Sequence, residues 1–509
     1  MHFARVFGAQ PALPRATIVS VETDMTKGLH AFTIVGLPDK SVAEARDRVA
    51  SAIKNTKVKG ESFNSPKSTN KKIVISLAPA ELKKEGSVFD VPAALSYLLA
   101  SHQIQFLPEK KIFIGELSLD GELRPIRGAL SIARAAKEEG FTEIFVPAEN
   151  ADEASLVSGI AVYPVSSLHD LVAHIVPGDF SLSKHRAAEK RRNEEDDAFD
   201  DIRGQESAKR ALEIAVAGRH NIALYGPPGT GKTMLARAAN SLLPDLAEEE
   251  MLEVTTIHSL AGTAQTAITR PPFRSPHHTS SYAAIIGGGS IPRPGEVTLA
   301  HRGILFADEF PEFHRDVVNA LREPMEDRVV SVARAKSSAV FPANFMLIAA
   351  LNPCPCGFWG SDRCQCMPHL VEKYRRKISG PIADRIDMWV TVPEIPPESL
   401  MKKAKRLGGE TKAARNRIEK ARAVQEKRFR GAKMLTTNTD MRSKDIEAFA
   451  RLSDDAESAL VDAARRLKLS PRGYHRTIKL ARTIADLAGD ATVETPHMLE
   501  ALQYRSREM

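Results

Sequence analysis

The spacing of apolar and polar residues over positions 1–178 alternates between the period of a strand and that of a helix. Helical spacing predicts helices at Ser41–Ile53, Val91–Leu99 and Leu130–Glu139. The stretch 54–72 is rich in Lys, Ser and Asn, and we expect a mobile basic loop there. We expect an α+β domain over 1–178. Short apolar or alternating runs predict its strands at Ala16–Glu22, Ala31–Val35, Lys72–Leu77, Lys111–Leu117 and Glu143–Val146.

The pattern changes twice beyond this region. A block of mixed charge at 179–198 is typical of a solvated linker. Strand and helix patterns alternate again over 199–395, whereas 396–509 is helical in pattern and very basic near its start. We therefore expect an α/β module with a parallel sheet at 199–395 and a helical domain at 396–509.

One motif within the α/β module is specific for a nucleotide. Gly226-Pro-Pro-Gly-Thr-Gly-Lys-Thr233 fits the phosphate-loop pattern, between an apolar strand pattern at 221–225 and a helix pattern at 234–243. Lys232 is expected to reach the β- and γ-phosphates and Thr233 to place its hydroxyl on Mg²⁺. The sequence thus predicts ATP binding. The loop residues expected to surround the phosphates are Gly226, Pro227, Pro228, Gly229, Thr230 and Gly231.

Two later strand ends supply polar groups suited to the same site. The apolar run 303–307 ends in Asp308, expected to hold the Mg²⁺ shell, and Glu309, expected to polarise the attacking water. The run 345–350 leads to Asn352. This amide is expected to contact the γ-phosphate or the water; the alternative is a simple turn former before Pro353.

Two arginines are candidates for contacts to phosphate. Arg385, between Asp384 and Asp387, can act as an arginine finger in a neighbouring subunit or form an ion pair within its own chain, and spacing does not separate these. Arg472 opens a helix pattern in the C-terminal part. There it can contact the nucleotide and couple movement of that part to hydrolysis.

All four cysteines lie within 13 residues, as Cys354, Cys356, Cys364 and Cys366. A disulfide framework would scatter them, so a reducing compartment and a tetrahedral Zn²⁺ site are favoured over isolated buried thiols. Four thiolates leave no open position, which indicates a structural metal. His369 is a reserve ligand.

Charge and composition limit the partners only weakly. The chain has 509 residues, a net charge of +7, and no apolar run approaching the roughly 20 residues of a membrane span. Its first residues lack a secretory pattern, so a cytoplasmic protein is expected. The stretch 328–341 has the pattern of a hairpin inserted before the strand predicted at 345–350. Candidate contacts to a DNA backbone are Arg270, Arg274, His277, His278, Arg328, Arg334 and Lys336, each with an ordinary surface charge or interface ion pair as the alternative.

The order of these motifs resembles that of an AAA+ ATPase. Stretches 272–281, 352–357, 31–40 and 77–86 are similar to signatures of the magnesium-chelatase-like proteins and, among them, of the ComM (YifB) family. The resemblance covers essentially the whole chain. It implies a ring, expected to be hexameric, that drives DNA branch migration during homologous recombination of incoming DNA. It also implies that Arg385 is a finger acting in trans, that Arg472 is a second sensor, and that 396–509 is a helical lid. In related motors, inserts such as the hairpin at 328–341 project into the central pore.

The first 178 residues resemble the proteolytic domain of Lon, which uses a Ser-Lys dyad. Val88 stands where that serine is expected, with Ser87 one position early, and Leu130 stands where the lysine is expected. The resemblance therefore implies an inactive Lon-like domain. Two other functions remain open, a chelatase-type motor that remodels a protein partner and, disfavoured by Val88 and Leu130, an ATP-dependent protease.

Overall fold

A computed structural model describes residues 3–58, 60–176, 180–185, 197–264, 266–289, 293–334, 337–378, 380–395, 409–432 and 435–505. The strands are β1 Phe3–Gln10, β2 Thr17–Lys27, β3 Ala31–Val35, β4 Lys57–Val58, β5 Glu61–Ser62, β6 Lys71–Ala78, β7 Lys111–Phe113, β8 Glu116–Leu117, β9 Leu123–Arg124, β10 Glu143–Pro147, β11 Ala161–Val165, β12 Ile222–Tyr225, β13 Phe273–Arg274, β14 Gly287–Gly288, β15 Arg293–Pro294, β16 Ile304–Ala307, β17 Val329–Arg334, β18 Ser337–Pro342, β19 Met346–Leu351 and β20 Met388–Thr391. The α-helices are α1 Lys40–Asn55, α2 Asp90–Ala100, α3 Ala129–Glu138, α4 Ala151–Ala154, α5 Leu168–Ile175, α6 Glu206–Gly218, α7 Lys232–Leu242, α8 Glu248–Ala261, α9 Tyr282–Ile285, α10 Glu296–Leu299, α11 Arg315–Ala320, α12 Arg322–Asp327, α13 Pro368–Arg375, α14 Gly380–Ala383, α15 Glu410–Arg428, α16 Ser443–Phe449, α17 Asp454–Arg466, α18 Pro471–Ala488 and α19 Thr495–Gln503.

Backbone contacts divide the chain into two compact units, 1–191 with 248–268 and 192–247 with 269–509. The first unit contains a four-stranded sheet in the order β1-β2-β6-β3 and a parallel three-stranded sheet in the order β11-β10-β7. β2 buries alternate residues, as a strand with one face on a core must, and α2 is buried over nearly its whole length. The α+β character expected for this region is present.

Most elements predicted in this unit occur with ends shifted by a few residues, but three differences stand out. The run 111–117 forms two strands, β7 and β8, instead of one. The stretch 54–72, expected to be a loop, contains the β4–β5 hairpin, a 3₁₀ turn at Pro66–Ser68 and the start of β6. The sequence prediction also missed β1. This strand pairs with β2 along its full length, and its buried residues alternate over part of that length.

Helix α8 belongs to the first unit, although the sequence placed it inside the 199–395 module. The side chain of Glu153, 1% exposed, accepts a hydrogen bond from Leu130 N at 2.7 Å and another from the Ser259 hydroxyl of α8. The same hydroxyl accepts from Gly128 N at 2.9 Å. A buried acid requires such partners, which gives α8 a polar anchor on this unit.

The second unit is built on a five-stranded sheet in the order β13-β16-β19-β12-β20, with every neighbouring pair parallel. β16 and β19 are buried on both faces, which explains their continuous apolar sequence. Helices α6, α7, α15 and α18 contribute to the same apolar core as the sheet. The hairpin expected at 328–341 is present as β17 and β18. Most of the expected linker, at 186–196, lies outside the described residues. None of the helices in the described ranges has the length and apolar character to cross a membrane.

Candidate nucleotide and metal sites

The phosphate-loop sequence connects β12 to α7 at the carboxyl edge of the five-stranded sheet. Gly226 is required by close packing, since a Cβ there would lie 2.1 Å from the carbonyl oxygen of Val392. Helix α7 begins at Lys232, so its free N–H groups and dipole are directed at the loop. This is the geometry of an anion site.

The ammonium group of Lys232 is held by the loop itself. It donates to the carbonyls of Gly226 and Pro227, both at 2.7 Å, and to the side-chain oxygen of Asn352 at 3.1 Å. Burial lowers the pKa of Lys232 to about 8, against the opposing effect of Asp308 and Glu309. The structure thereby brings Asn352, from the end of β19, to the phosphate-loop lysine.

Oxygen ligands suited to a divalent cation meet beside this lysine. The Thr233 hydroxyl lies 3.0 Å from a carboxylate oxygen of Asp308, which follows β16. Glu309 donates its backbone N–H to Asp308 at 3.0 Å, and its carboxylate lies 3.3 Å from Nδ1 of His278. Because parallel neighbouring strands end at one edge, residues far apart in sequence form one cluster.

The two candidate arginines lie together at the opposite, amino-terminal edge of the sheet. The amide of Asn221, just before β12, donates to the backbone carbonyl of Arg385 at 3.2 Å. The Arg385 guanidinium is paired with Glu326 of α12, and that of Arg472 lies 2.9 Å from the same carboxylate. The intrachain ion pair considered for Arg385 is therefore present. Arg472 is grouped with Arg385 instead of with the phosphate loop of its own chain.

A cavity of about 800 Å³ lies beside this arginine pair. Among its lining residues, the buried carboxylate of Asp387 is paired with Arg476 and accepts from Asn221 N at 2.9 Å. Burial acts to raise the pKa of Asp387, but Arg476 and His220 hold it well below its ordinary value. Lys479, also on the cavity wall, has its pKa lowered to about 8 by burial. The amino edge is thus a fixed ionic network.

The four cysteines form a single cluster that can hold a metal. Their sulfur atoms all lie within 4.8 Å of one another, and Cys354 is fully buried. The cluster is continuous with the nucleotide site through Asn352. The Tyr374 hydroxyl interacts electrostatically with the backbone of Asn352, and its pKa is raised above the ordinary value by burial and by Glu312.

Several candidate DNA contacts have partners inside the chain. Arg274 forms a bidentate pair with Glu296 at 2.6 and 2.7 Å. Arg328, at the base of the hairpin, contacts Asn344 at 2.7 Å and Asp440 at 3.2 Å. His277 is exposed, whereas His278 pairs with Glu309. Lys336 and the side chain of Arg334 lie outside the described residues.

The positions compared with the Lon dyad are embedded in the first unit. Val88 and Leu130 are both buried in its apolar core. The neighbouring Ser87 hydroxyl donates to Glu116, and the buried ammonium of Lys84 donates to the carbonyl of Pro79. The Ser87 hydroxyl is therefore hydrogen-bonded to a carboxylate, and Leu130 stands where the lysine of a Lon dyad is expected.

Sequence reasoning missed three residues that the structure places in these sites. Glu326 joins the two arginines, His278 partners Glu309, and Tyr374 contacts Asn352. His278 was singled out for a different role. No sequence signal connects Glu326 or Tyr374 to its partner, because each contact depends on packing between separate elements.

Comparison with known proteins covers almost the whole chain. Residues 198–400 match the family described as "Magnesium chelatase, subunit ChlI". The flanking regions match "Subunit ChlI of Mg-chelatase" over 21–150 and "Magnesium chelatase, subunit ChlI C-terminal" over 408–505.

Three relatives illustrate the range of similarity. Competence protein ComM of Haemophilus influenzae is 40% identical over 516 residues, covering 99% of this chain and 98% of that protein. Uncharacterized protein YifB of Escherichia coli is 40% identical over 492 residues, covering 96% of this chain and 94% of that protein. Lon protease 2 of Bacillus subtilis is 30% identical over 218 residues, covering 37% of this chain and 40% of that protein.

Proposed function

Because the chain belongs to the ComM/YifB family of magnesium-chelatase-like AAA+ proteins, we propose that it is an ATP-driven motor that acts on DNA. The observation that carries the ATPase part is the cluster at the carboxyl edge of the sheet. There Lys232 contacts Asn352 at 3.1 Å, and Thr233 contacts Asp308 at 3.0 Å.

The residues of this cluster fit ATP and Mg²⁺. The loop 226–231 and the start of α7 offer N–H groups to phosphate oxygens, and Lys232 supplies a cation. Thr233 and Asp308 offer adjacent oxygen ligands of the kind that Mg²⁺ prefers. Bound Mg²⁺ would neutralise charge on the phosphates. Glu309 would orient and polarise the attacking water, and Asn352 would hold the γ-phosphate or that water.

We further propose that Arg385 and Arg472 both act on the nucleotide of a neighbouring copy. Their shared pairing with Glu326, at the amino edge, supports this role over contact with the phosphates of their own chain. In a closed ring the amino edge of one subunit would face the carboxyl edge of the next. The ring is proposed to be a hexamer.

The proposed substrate is single-stranded or branched DNA, and the proposed activity is branch migration during recombination of incoming DNA. Support comes from the near full-length similarity to a protein named for competence and from the β17–β18 hairpin. Because Arg274 and Arg328 are paired inside the chain, the candidates that remain for DNA contact are Arg270, His277, Arg334 and Lys336. The Lon-like unit is proposed to be an inactive scaffold, since Val88 and Leu130 have no acid–base chemistry.

The test is the ATPase rate of the purified chain alone and with single-stranded, duplex or four-way-junction DNA, at two salt concentrations. Stimulation by DNA that weakens with salt is expected, since backbone contacts release counterions. Robust turnover that is indifferent to DNA would instead favour the alternative, a chelatase-like ATPase that remodels a protein partner.

A further inference from the structure

The sulfur atoms of the cysteine cluster are already arranged as a metal requires. Sγ of Cys354 lies 3.3 Å from that of Cys356 and 3.9 Å from that of Cys364, and the latter two lie 3.7 Å apart. A tetrahedral Zn²⁺ with bonds of about 2.3 Å holds its sulfurs about 3.8 Å apart. Binding therefore needs only small sulfur movements.

The first half of the cluster is joined to the nucleotide site. Gly226 N donates to the carbonyl of Leu351 at 3.1 Å, and the next side chain, Asn352, accepts from Lys232. Cys354 follows two residues later. Gly357, with φ +86°, packs so closely on the phosphate loop that a Cβ would lie 2.5 Å from Cδ of Pro228.

The segment that follows the second cysteine pair, Cys364 and Cys366, also lies close to Asn352. Cys366 leads directly into α13, and the Tyr374 hydroxyl of that helix is close enough to the backbone of Asn352 to interact with it electrostatically. Just beyond α13, the Lys377 ammonium lies 2.7 Å from Glu312, three residues after Glu309. Both ends of the segment 352–374 therefore lie at Asn352, and the four cysteine thiols lie between these ends.

We infer that a metal bound by the four cysteines is a clip that positions Asn352, and through it sets the rate of ATP hydrolysis. This inference rests on the proposed ATPase function. Without the metal, the segment 354–366 loses its internal cross-links and gains conformational freedom. Asn352 then loses its fixed placement, whereas Lys232 and Thr233 belong to α7 and continue to bind nucleotide.

The test compares Cys366→Ser with Asp362→Asn, an exposed control in the same segment, in the full-length chain. Zinc content, equilibrium ATP binding, kcat and KM are measured for each. Cys366→Ser is expected to lose zinc, keep its Kd for ATP within about threefold, and lose at least about tenfold in kcat, because one orienting polar group is worth up to roughly 10²–10³. Asp362→Asn should match the wild type.

Cys366→His is the conservative rescue, since imidazole also binds zinc. It should regain zinc and most of kcat, a recovery that loss of general stability would not produce. If Cys366→Ser fails to fold, a zinc-selective chelator in excess Mg²⁺ replaces it, and kcat should fall on stripping and return with zinc.

A zinc-free, folded protein with wild-type kcat would overturn the inference alone. A wild type that contains no zinc after growth and purification with added zinc would do the same. A zinc-loaded wild type that binds ATP without turnover under any DNA condition would overturn the proposed function, and with it this inference.

Discussion

Mixed assemblies of two single variants, Arg385→Ala and Glu309→Gln, test whether the two edges of the second unit act in different copies of the chain. From Asn221 to Gly226 the chain spans about 16 Å at roughly 3.3 Å per residue. Arg385 is anchored at the first of these points, by its backbone to Asn221 and by its side chain to Glu326. It is therefore far from its own phosphate loop.

Each variant alone should be nearly inactive. An arginine finger is worth about 10³–10⁵ in rate, so Arg385→Ala is expected to turn over at about one-thousandth of the wild-type rate or less. In a random equal mixture, half the sites have an intact Glu309, and half of those face a neighbour with an intact Arg385. About one quarter of sites are then complete in a head-to-tail ring of any size.

The assay is steady-state ATP hydrolysis at fixed total protein, after subunit exchange verified by tagged copurification. Recovery to about a quarter of the wild-type rate is expected from the head-to-tail ring arithmetic. A matched mixture of Lys232→Ala with Glu309→Gln should show no recovery, because both changes damage the same edge. Mixed assemblies that contain both Arg385→Ala and Glu309→Gln but hydrolyse no faster than the separate variants would refute action in trans.

Four further outcomes follow from the same geometry. Glu309→Gln should keep ATP binding and lose turnover, whereas Lys232→Ala should lose both, as measured by equilibrium binding and hydrolysis; normal turnover by Glu309→Gln would contradict the assigned chemistry. Only the protonated form of Lys232 pairs with phosphate, and its pKa is lowered to about 8. Binding of ATP should therefore weaken about tenfold in Kd between pH 7 and pH 9. A Kd that does not change with pH would exclude a titrating lysine. His278→Ala should free the Glu309 carboxylate and raise the DNA-free hydrolysis rate about fivefold, equivalent to roughly 1 kcal/mol, and an unchanged or lower rate would show that the pair does not restrain it. Asp387→Ala should reduce the free energy of unfolding by about 3–5 kcal/mol in denaturant titrations, because it removes the buried carboxylate that pairs with half-buried Arg476 and accepts from Asn221 N; a loss below about 1 kcal/mol would mean that water satisfies the network.

Single secondary-structure elements and short motifs of this protein could be predicted from the sequence. The apolar run 31–35 matches β3 at both ends, and the phosphate-loop motif predicted a strand and a helix that the structure has as β12 and α7. The four cysteines could be grouped because they lie within 13 residues. In each case the relevant atoms belong to neighbouring residues, so backbone periodicity and short-range geometry suffice.

Only the tertiary structure decided how separate segments combine. The sequence placed α8 in the nucleotide module, but a hydroxyl on it anchors to buried Glu153 of the first unit. It offered Arg472 as a contact to the nucleotide, without showing that Glu326 holds it beside Arg385 at the amino edge. Strand order fixes which loops share an edge, and that order depends on pairing between β13, β16, β19, β12 and β20, which lie far apart in the chain. Periodicity specifies which face of a strand is buried but not which strand lies beside it, so the placement of both sites is a property of the fold.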